Sequence, residues 1–491
     1  MDIVSKINGN TCSAPEFNQI PTELETLQTS SGQTSSDAIL NQVSIGVSRY
    51  AANNFYIDSG AADAYVLTLA ASFTNPVSAT IAYFTGMTIR FRAENAGTGG
   101  AATVNVNGAG VKSLKEANGT TNPSSIPTTE DSEFRYDGTV FRKVNLSSAL
   151  SGNAIINGDF NIWQRDTSFP AIADGTFTAD RWKYQKSGTM VHTVSQSTDV
   201  PTVAQAGRLF NYSLKVDCTT ADNSIAAGDY CLISTPIEGY NFLPLAQKPT
   251  TFGIWVKATK LGVYGVFLVN SGQDRSFVSE ITINSSNTWE YKTVSILAST
   301  SSGIWNYTNG LGINLGICLA AGSTRQTTSG SWNNGDFYTT SNQVNGCDSA
   351  SNDFYICGVQ LEAGSVATQF EQRSIGQELL LCQRYFEILG GQNTNEALCT
   401  GYASSTVQAQ GVVKYVVQKR SAPTITFSAT NLFRFNNATS NFTCSNIVAN
   451  NVSDNVKTLI LTLTIAGVVA NTGGLIDTVS TSGRISISSE L

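Results

Sequence analysis

A single histidine, His192, stands in the 491-residue chain, so a Ser-His-Asp or Cys-His mechanism would have to run through it. It lies in TMVHTVS, an alternating pattern that makes it a satisfied or surface imidazole of a strand rather than a general base. Glycoside hydrolysis needs two carboxyl groups about 5 to 9.5 Å apart. Asp336, Asp348 and Asp353, or Glu280 and Glu290, are available, but their spacing in sequence brings no pair together. No glycine-rich loop follows a strand and opens a helix, and no solenoid repeat of the kind a β-helical depolymerase would show is visible. The residue types point away from an enzyme and call for no cofactor.

Nine cysteines stand at Cys12, Cys218, Cys231, Cys318, Cys347, Cys357, Cys382, Cys399 and Cys444. There is no C-x-x-C and almost no histidine to complete a zinc site, so no metal ligand set is expected and free buried thiols are the reading. Pairing of Cys347 with Cys357 stays open, because spacing does not reveal geometry.

Charged residues make up 13% of the chain, against about 25% in ordinary globular proteins. Solubility must come from hydroxyls and amides. The net charge of −7 and the lack of a Lys/Arg cluster offer nothing to a phosphate backbone, which argues against nucleic acid as a partner. The start, MDIVSKINGN, has neither a basic n-region nor an apolar h-region, and no apolar run approaches 18 residues, so the expectation is a soluble chain made in the cytoplasm. Sequons at Asn118, Asn306 and Asn441 then carry little weight.

These residues are held by mainly β elements in five pieces. Residues 1–60 contain two helix candidates, 21–27 and 37–50, around the polar segment 28–36. In the second, Leu40, Val43, Val47 and Tyr50 follow a helical period, with Ser36 or Asp37 as its cap. Phe17, Ile20, Leu24 and Leu27 have no large domain of their own to pack into, and they are the candidates for an attachment segment. Residues 61–150 read as a small antiparallel β domain. In MTIRFRA, Met87, Ile89 and Phe91 alternate with polar neighbours, and Asp137-Gly138 predicts a two-residue hairpin loop that sets Phe134 opposite Phe141.

Residues 151–375 carry NAIINGDFNIWQRDTSF, FTADRWKY, TFGIWVKAT and LGINLGICLAAGS, and lead into NDFYICGVQLEAGSVATQFEQRSIGQELLLCQRYFE. In this order the segments resemble the carbohydrate-binding-like jelly-roll module of bacteriophage tail fibres and related virion receptor-binding proteins. Segments from residue 60 onward resemble the small domains that precede such modules, and the end GRISISSEL resembles a closing strand of fibre tips. The alternation in FGIWVKA and YICGVQL fits a sandwich on its own terms. Trp163, Trp182, Trp255 and Trp289 sit in or beside strands and read as core aromatics. Trp305, Tyr307 and Trp332 lie in Gly/Ser/Asn-rich contexts, where an exposed ring could stack on a sugar. Related carbohydrate-binding jelly rolls hold a structural calcium with carboxylates whose places here are taken by Asn161, Cys357 and Gly358. That leaves Asp159 and Asp353 as the remaining candidates.

Between the jelly roll and a final β unit, 390–491, residues 376–389 place Leu379, Cys382, Phe386 and Leu389 on one helical stripe. The resemblance implies a homotrimer with this stripe as its seam; docking on the chain's own jelly roll is the other reading. In the final unit Asn436, Asn437, Thr439 and Asn441 form a polar loop, with Tyr402 a stacking partner, as candidates for receptor contact. The implied function is a virion tail fibre that attaches to other phage tail or neck proteins by its N-terminus. Its distal domains would bind a bacterial surface glycan or outer-membrane protein. The alternative is a collar, neck, head-decoration or adaptor fibre without receptor contact.

Overall fold

The computed structural model describes residues 6–7, 10–11, 55–69, 83–106, 108–116, 119–123, 126–128, 131–144, 152–364, 367–437, 439–450 and 456–491. The helix candidates of the first sixty residues, and with them Phe17, Ile20, Leu24, Leu27 and Cys12, lie outside the described residues. Among the described residues no helix is long and apolar enough to cross a membrane. Two compact units divide the chain at Leu146/Ser147.

In the first unit seven strands close into a barrel, in the order Phe55–Asp58, Ala64–Leu69, Thr103–Val106, Val111–Lys115, Phe141–Lys143, Ser132–Tyr136 and Thr88–Arg92. Alternation fills its interior: Tyr65, Leu67, Ile89, Phe91, Val104, Phe134 and Phe141 are all at most 1% exposed. Two expectations change here. The domain is mixed rather than antiparallel, because three of its neighbouring pairs, including the one between Phe55–Asp58 and Thr88–Arg92, run parallel. Phe141 faces Tyr136 and not Phe134. The loop takes four residues because Asp137 Oδ1 accepts from the backbone N–H groups of both Thr139 and Val140, at 2.8 and 2.9 Å, which closes a wider turn than the Asp-Gly pair alone.

The second unit opens with a jelly roll of two six-stranded antiparallel sheets. One runs Ser168–Phe169, Val191–Ser197, Ser213–Thr220, Asp353–Ala363, Thr250–Ala258 and Glu290–Ile296. The other runs Lys183–Ser187, Tyr230–Glu238, Leu311–Ala321, Gly262–Asn270, Arg275–Ile283 and Trp332–Asn334. Phe252, Ile254 and Val256 point into the shared core as their alternation predicts. YICGVQL departs from simple alternation. Gly358 adopts φ +57° at a register irregularity, a bulge that resets the phase. Ile356, Val359 and Leu361 therefore face the core, while Tyr355 and Cys357 pack on the outer side with Phe210 and Trp289. This separates Cys357 from Cys347, which lies in the inner core, and both are free thiols.

The joint is a helix, Ile375–Gln383, shorter than the stripe implied. Ser374 caps it, accepting from Gln377 N–H at 3.4 Å. It ends where Tyr385 and Arg384 turn their carbonyls to Ser489 and Arg420 N–H groups, and Phe386–Gly390 continues as a strand paired with Arg484–Ser488. Phe386 and Leu389 thus belong to a strand. Cys382 is fully buried and Leu379 half-buried against Ile156, Ile162 and Tyr385 of the same chain. Leu379 and Cys382 are covered by the chain's own jelly roll and Leu389 packs on the C-terminal core, so the expected seam of Leu379, Cys382, Phe386 and Leu389 is not an open helical face. Beyond it, a three-stranded sheet packs over a seven-stranded one around Phe433, Phe435, Leu461 and Ile485.

Candidate functional site

At one edge of the second jelly-roll sheet, Trp332 of the last strand lies beside the loop that carries Trp305 and Tyr307. The Trp305 ring lies over buried Phe242, with centroids 5.6 Å apart and planes 14° from parallel; Tyr307 stacks on the same ring at 6.3 Å. Trp332 meets Trp305 edge-on at 5.5 Å. All three are half-buried, and Ile304 and Leu297 beside them are exposed. Their orientation is fixed by tethers. The indole N–H of Trp305 donates to Ser302 O at 2.9 Å, and that of Trp332 to Leu297 O at 3.0 Å.

The loop carrying Trp305 is itself tied down. Asn270 donates to Asp274 Oδ1 at 2.6 Å and to Ile304 O at 2.9 Å, and Ile304 N–H donates back to Asp274. The Asn270 amide and the backbone N–H of Ile304 hold the Asp274 carboxyl below the usual carboxylate range. The result is a fixed aromatic surface rimmed by exposed Ser302 and Thr308. Such a surface can cover an apolar sugar face while neighbouring hydroxyls and amides address its edges. On the other side of the turn Gly239–Phe242 an open cleft is lined by exposed Tyr240 together with Asn153, Asn241, Arg373 and Gln377.

The C-terminal candidates are distributed differently. Asn436 pairs with Asn441 across a hairpin, and Asn437 Oδ1 is taken up inside the turn by Thr439 N–H, Thr439 Oγ1 and Ser440 N–H at 2.8 to 3.0 Å. Tyr402 is half exposed on the outer face of the same sheet. Asn436 pairs with Leu475, and Tyr402 with Gly473, on the strand between them. That register puts the two residues roughly 12 Å apart by ordinary sheet spacings.

The acidic residues considered for catalysis are engaged elsewhere. Asp336 pairs with Arg325 and Asp348 with Lys260, Glu290 is held by Lys292, and Glu280 accepts from Thr340. Asp159 and Asp353 do not share a site. Gly158 O accepts from Val359 N–H, six residues along the strand from Asp353, a separation of roughly 20 Å. Burial pushes the Asp159 carboxyl up. His192, expected on a strand, is there but only 1% exposed, and its Nδ1 lies 2.7 Å from Tyr184 Oη. Cys231 and Cys347 surround the same ring. Sequence spacing could not show this, because the three residues come from two sheets and a loop; the one signal was a lone histidine in a cysteine-bearing β core.

No family model matches the chain, and no curated protein matches it. Among solved structures, one domain similar to it is the enzymatically active domain of bacteriophage CBA120 tailspike protein 4. That match has 12% identity and TM-score 0.23, covering 40% of this chain and 21% of that one. Another is TmCBM61 in complex with β-1,4-galactotriose, at 11% identity and TM-score 0.20, covering 40% and 99%. A third is the family 11 carbohydrate-binding module from Clostridium thermocellum, in complex with a β-1,3-1,4-mixed-linked tetrasaccharide. It has 8% identity and TM-score 0.21, covering 41% and 98%. At these values nothing about ligand or activity follows from the likeness.

Proposed function

We propose that this chain is a glycan-binding fibre component of a virion, that it binds without turning its ligand over, and that the aromatic surface of Trp305, Tyr307 and Trp332 is its sugar platform. The carrying observation is that Trp305 and Tyr307 of one loop stack on Phe242 while Trp332 of an edge strand meets Trp305 edge-on, with both indole N–H groups tethered to backbone. The outer face of the C-terminal sheet, with Tyr402, Asn436, Thr439 and Asn441, supplies a second set of amide and hydroxyl partners. Attachment through residues 1–60 to a tail or neck protein and assembly as a trimer complete the reading, since several weak sugar contacts on one particle raise avidity by orders of magnitude.

The test is binding of the full-length chain to an array of bacterial surface polysaccharides, with light scattering for its mass. Trp305→Ala and Trp332→Ala should weaken binding at least tenfold, a loss of about 1.4 kcal/mol. Trp305→Phe, which keeps the stack on Phe242, should retain most of it. Folded variants that bind as well as the parent would remove the platform. A parent that binds no glycan would leave the structural collar or adaptor reading.

A further inference from the structure

We propose that His192, Cys231 and Cys347 form a zinc centre that ties the two sheets of the jelly roll together. His192 stands on Val191–Ser197 of one sheet and Cys231 on Tyr230–Glu238 of the other, while Cys347 comes from the loop before Asp353–Ala363. They are 1%, 0% and 0% exposed. Their donor atoms all lie within 4.8 Å of one another, with Cys231 Sγ 4.0 Å from His192 Nδ1.

A tetrahedral zinc ion with Zn–S of about 2.3 Å and Zn–N of about 2.0 Å holds its donors roughly 3.5 to 3.8 Å apart. Contraction by less than about 1 Å, within reach of side-chain adjustment, converts the observed cluster into that geometry. Zinc also suits the donors, because thiolate and imidazole in a tetrahedral set are its preferred partners. The charges close as well. Two thiolates balance the dication, so the core buries a neutral assembly rather than a net charge. On binding, two thiol protons are released to solvent and no electrons move.

Two further groups border the cluster. Tyr184 Oη is 2.7 Å from Nδ1 and 3.9 Å from Cys231 Sγ, and Cys218 sits directly across the strand pair from His192. Beyond the ring, a small cavity is lined by His192, Val216, Tyr264 and Asn352.

The experiment uses the full-length chain purified under reducing conditions without chelators. Elemental analysis should find about one zinc per chain, and refolding with Co(II) should give thiolate-to-cobalt charge-transfer absorption. His192→Ala and Cys231→Ser should lose at least nine-tenths of the metal, while Cys444→Ser keeps it. If either variant fails to fold, the parent chain still decides. Any metal other than zinc in stoichiometric amount overturns the proposal, as does a Cys231–Cys347 disulfide or a chain that takes up neither zinc nor cobalt.

Discussion

Arg181 and Glu490 form a buried ion pair across 309 residues of sequence, which fastens the end of the chain into the jelly roll. Arg181 is 1% exposed, its other guanidinium nitrogen donates to Pro236 O, and its plane lies 3.6 Å over the Tyr385 ring. Burial pushes its pKa down to about 10, so it stays charged at neutral pH. Glu490 also receives Arg165 at 2.9 Å. Breaking such a pair from one side costs about 3 to 5 kcal/mol, because the partner charge is left in the core. Glu490→Ala should therefore lower the urea midpoint of the second unit markedly, and Glu490→Gln, which keeps acceptor and shape, should lower it less. An unchanged midpoint for Glu490→Ala would mean that the closing strand holds without this pair.

Asp180 gives a pH dependence whose sign follows from its burial. Burial pushes its carboxyl up to about 6 against the pull of Arg165, from an ordinary 3.8. The folded state thus binds this proton more tightly than the unfolded chain. Its stabilising contribution is complete below pH 3.8 and is lost as pH rises through about 6. Measured against Asp180→Asn, which does not titrate, the parent should be relatively more stable at pH 4 than at pH 7, by about 3 kcal/mol for a two-unit shift. A difference that stays flat with pH, or grows the other way, would show that Arg165 outweighs burial.

Much of this architecture was legible in the residues. Period-two runs such as MTIRFRA and FGIWVKA located real strands, and Phe433 and Phe435, two apart, share a buried face. What escaped was decided by tertiary competition. The helical stripe looked continuous to Leu389 because period is local. The backbone of 384–385 is instead claimed by Arg420 and Ser489, more than thirty residues away at the nearest. Parallel pairing in the barrel, the phase reset at Gly358 and the approach of Trp332 to the Trp305–Phe242 stack have the same cause. Each depends on which strands become neighbours, and strand spacing does not encode that.

The hairpin at 433–443 separates a structural asparagine from two available ones. Asn437 Oδ1 accepts three hydrogen bonds that close the turn, whereas Asn441 is exposed and Asn436 half-buried on a strand edge. Net hydrogen bonds of this kind contribute about 0.5 to 1.5 kcal/mol each. Asn437→Ala should speed amide exchange across 433–443, read by hydrogen-exchange mass spectrometry. The pair Asn436→Ala and Asn441→Ala should leave exchange unchanged and weaken adsorption to host cells at least tenfold. Faster exchange in the pair, or full adsorption by it, would assign these amides to the fold alone.

The first strand of the barrel sets where an N-terminal truncation stops being harmless. Phe55–Asp58 lies between Ala64–Leu69 and Thr88–Arg92 and closes the ring of seven strands. Tyr56 is 3% exposed in the barrel core. Asp58 Oδ1 accepts from the N–H groups of Gly60 and Val66 at 2.9 and 3.2 Å, and Oδ2 from that of Glu94 at 3.0 Å, so one carboxylate holds three segments together. Removing residues 1–60 would delete this strand, expose the edges of its two neighbours and leave the backbone of Thr88–Arg92 unpaired on one side. Removing residues 1–52 keeps it. The shorter deletion should give soluble chain with the parent's first-unit melting transition but without incorporation into particles, since the proposed attachment residues are gone. The longer deletion should lose that transition or aggregate. Identical melting of the two would show that the barrel closes without Tyr56 and Asp58, and normal incorporation of the shorter one would place the anchor elsewhere.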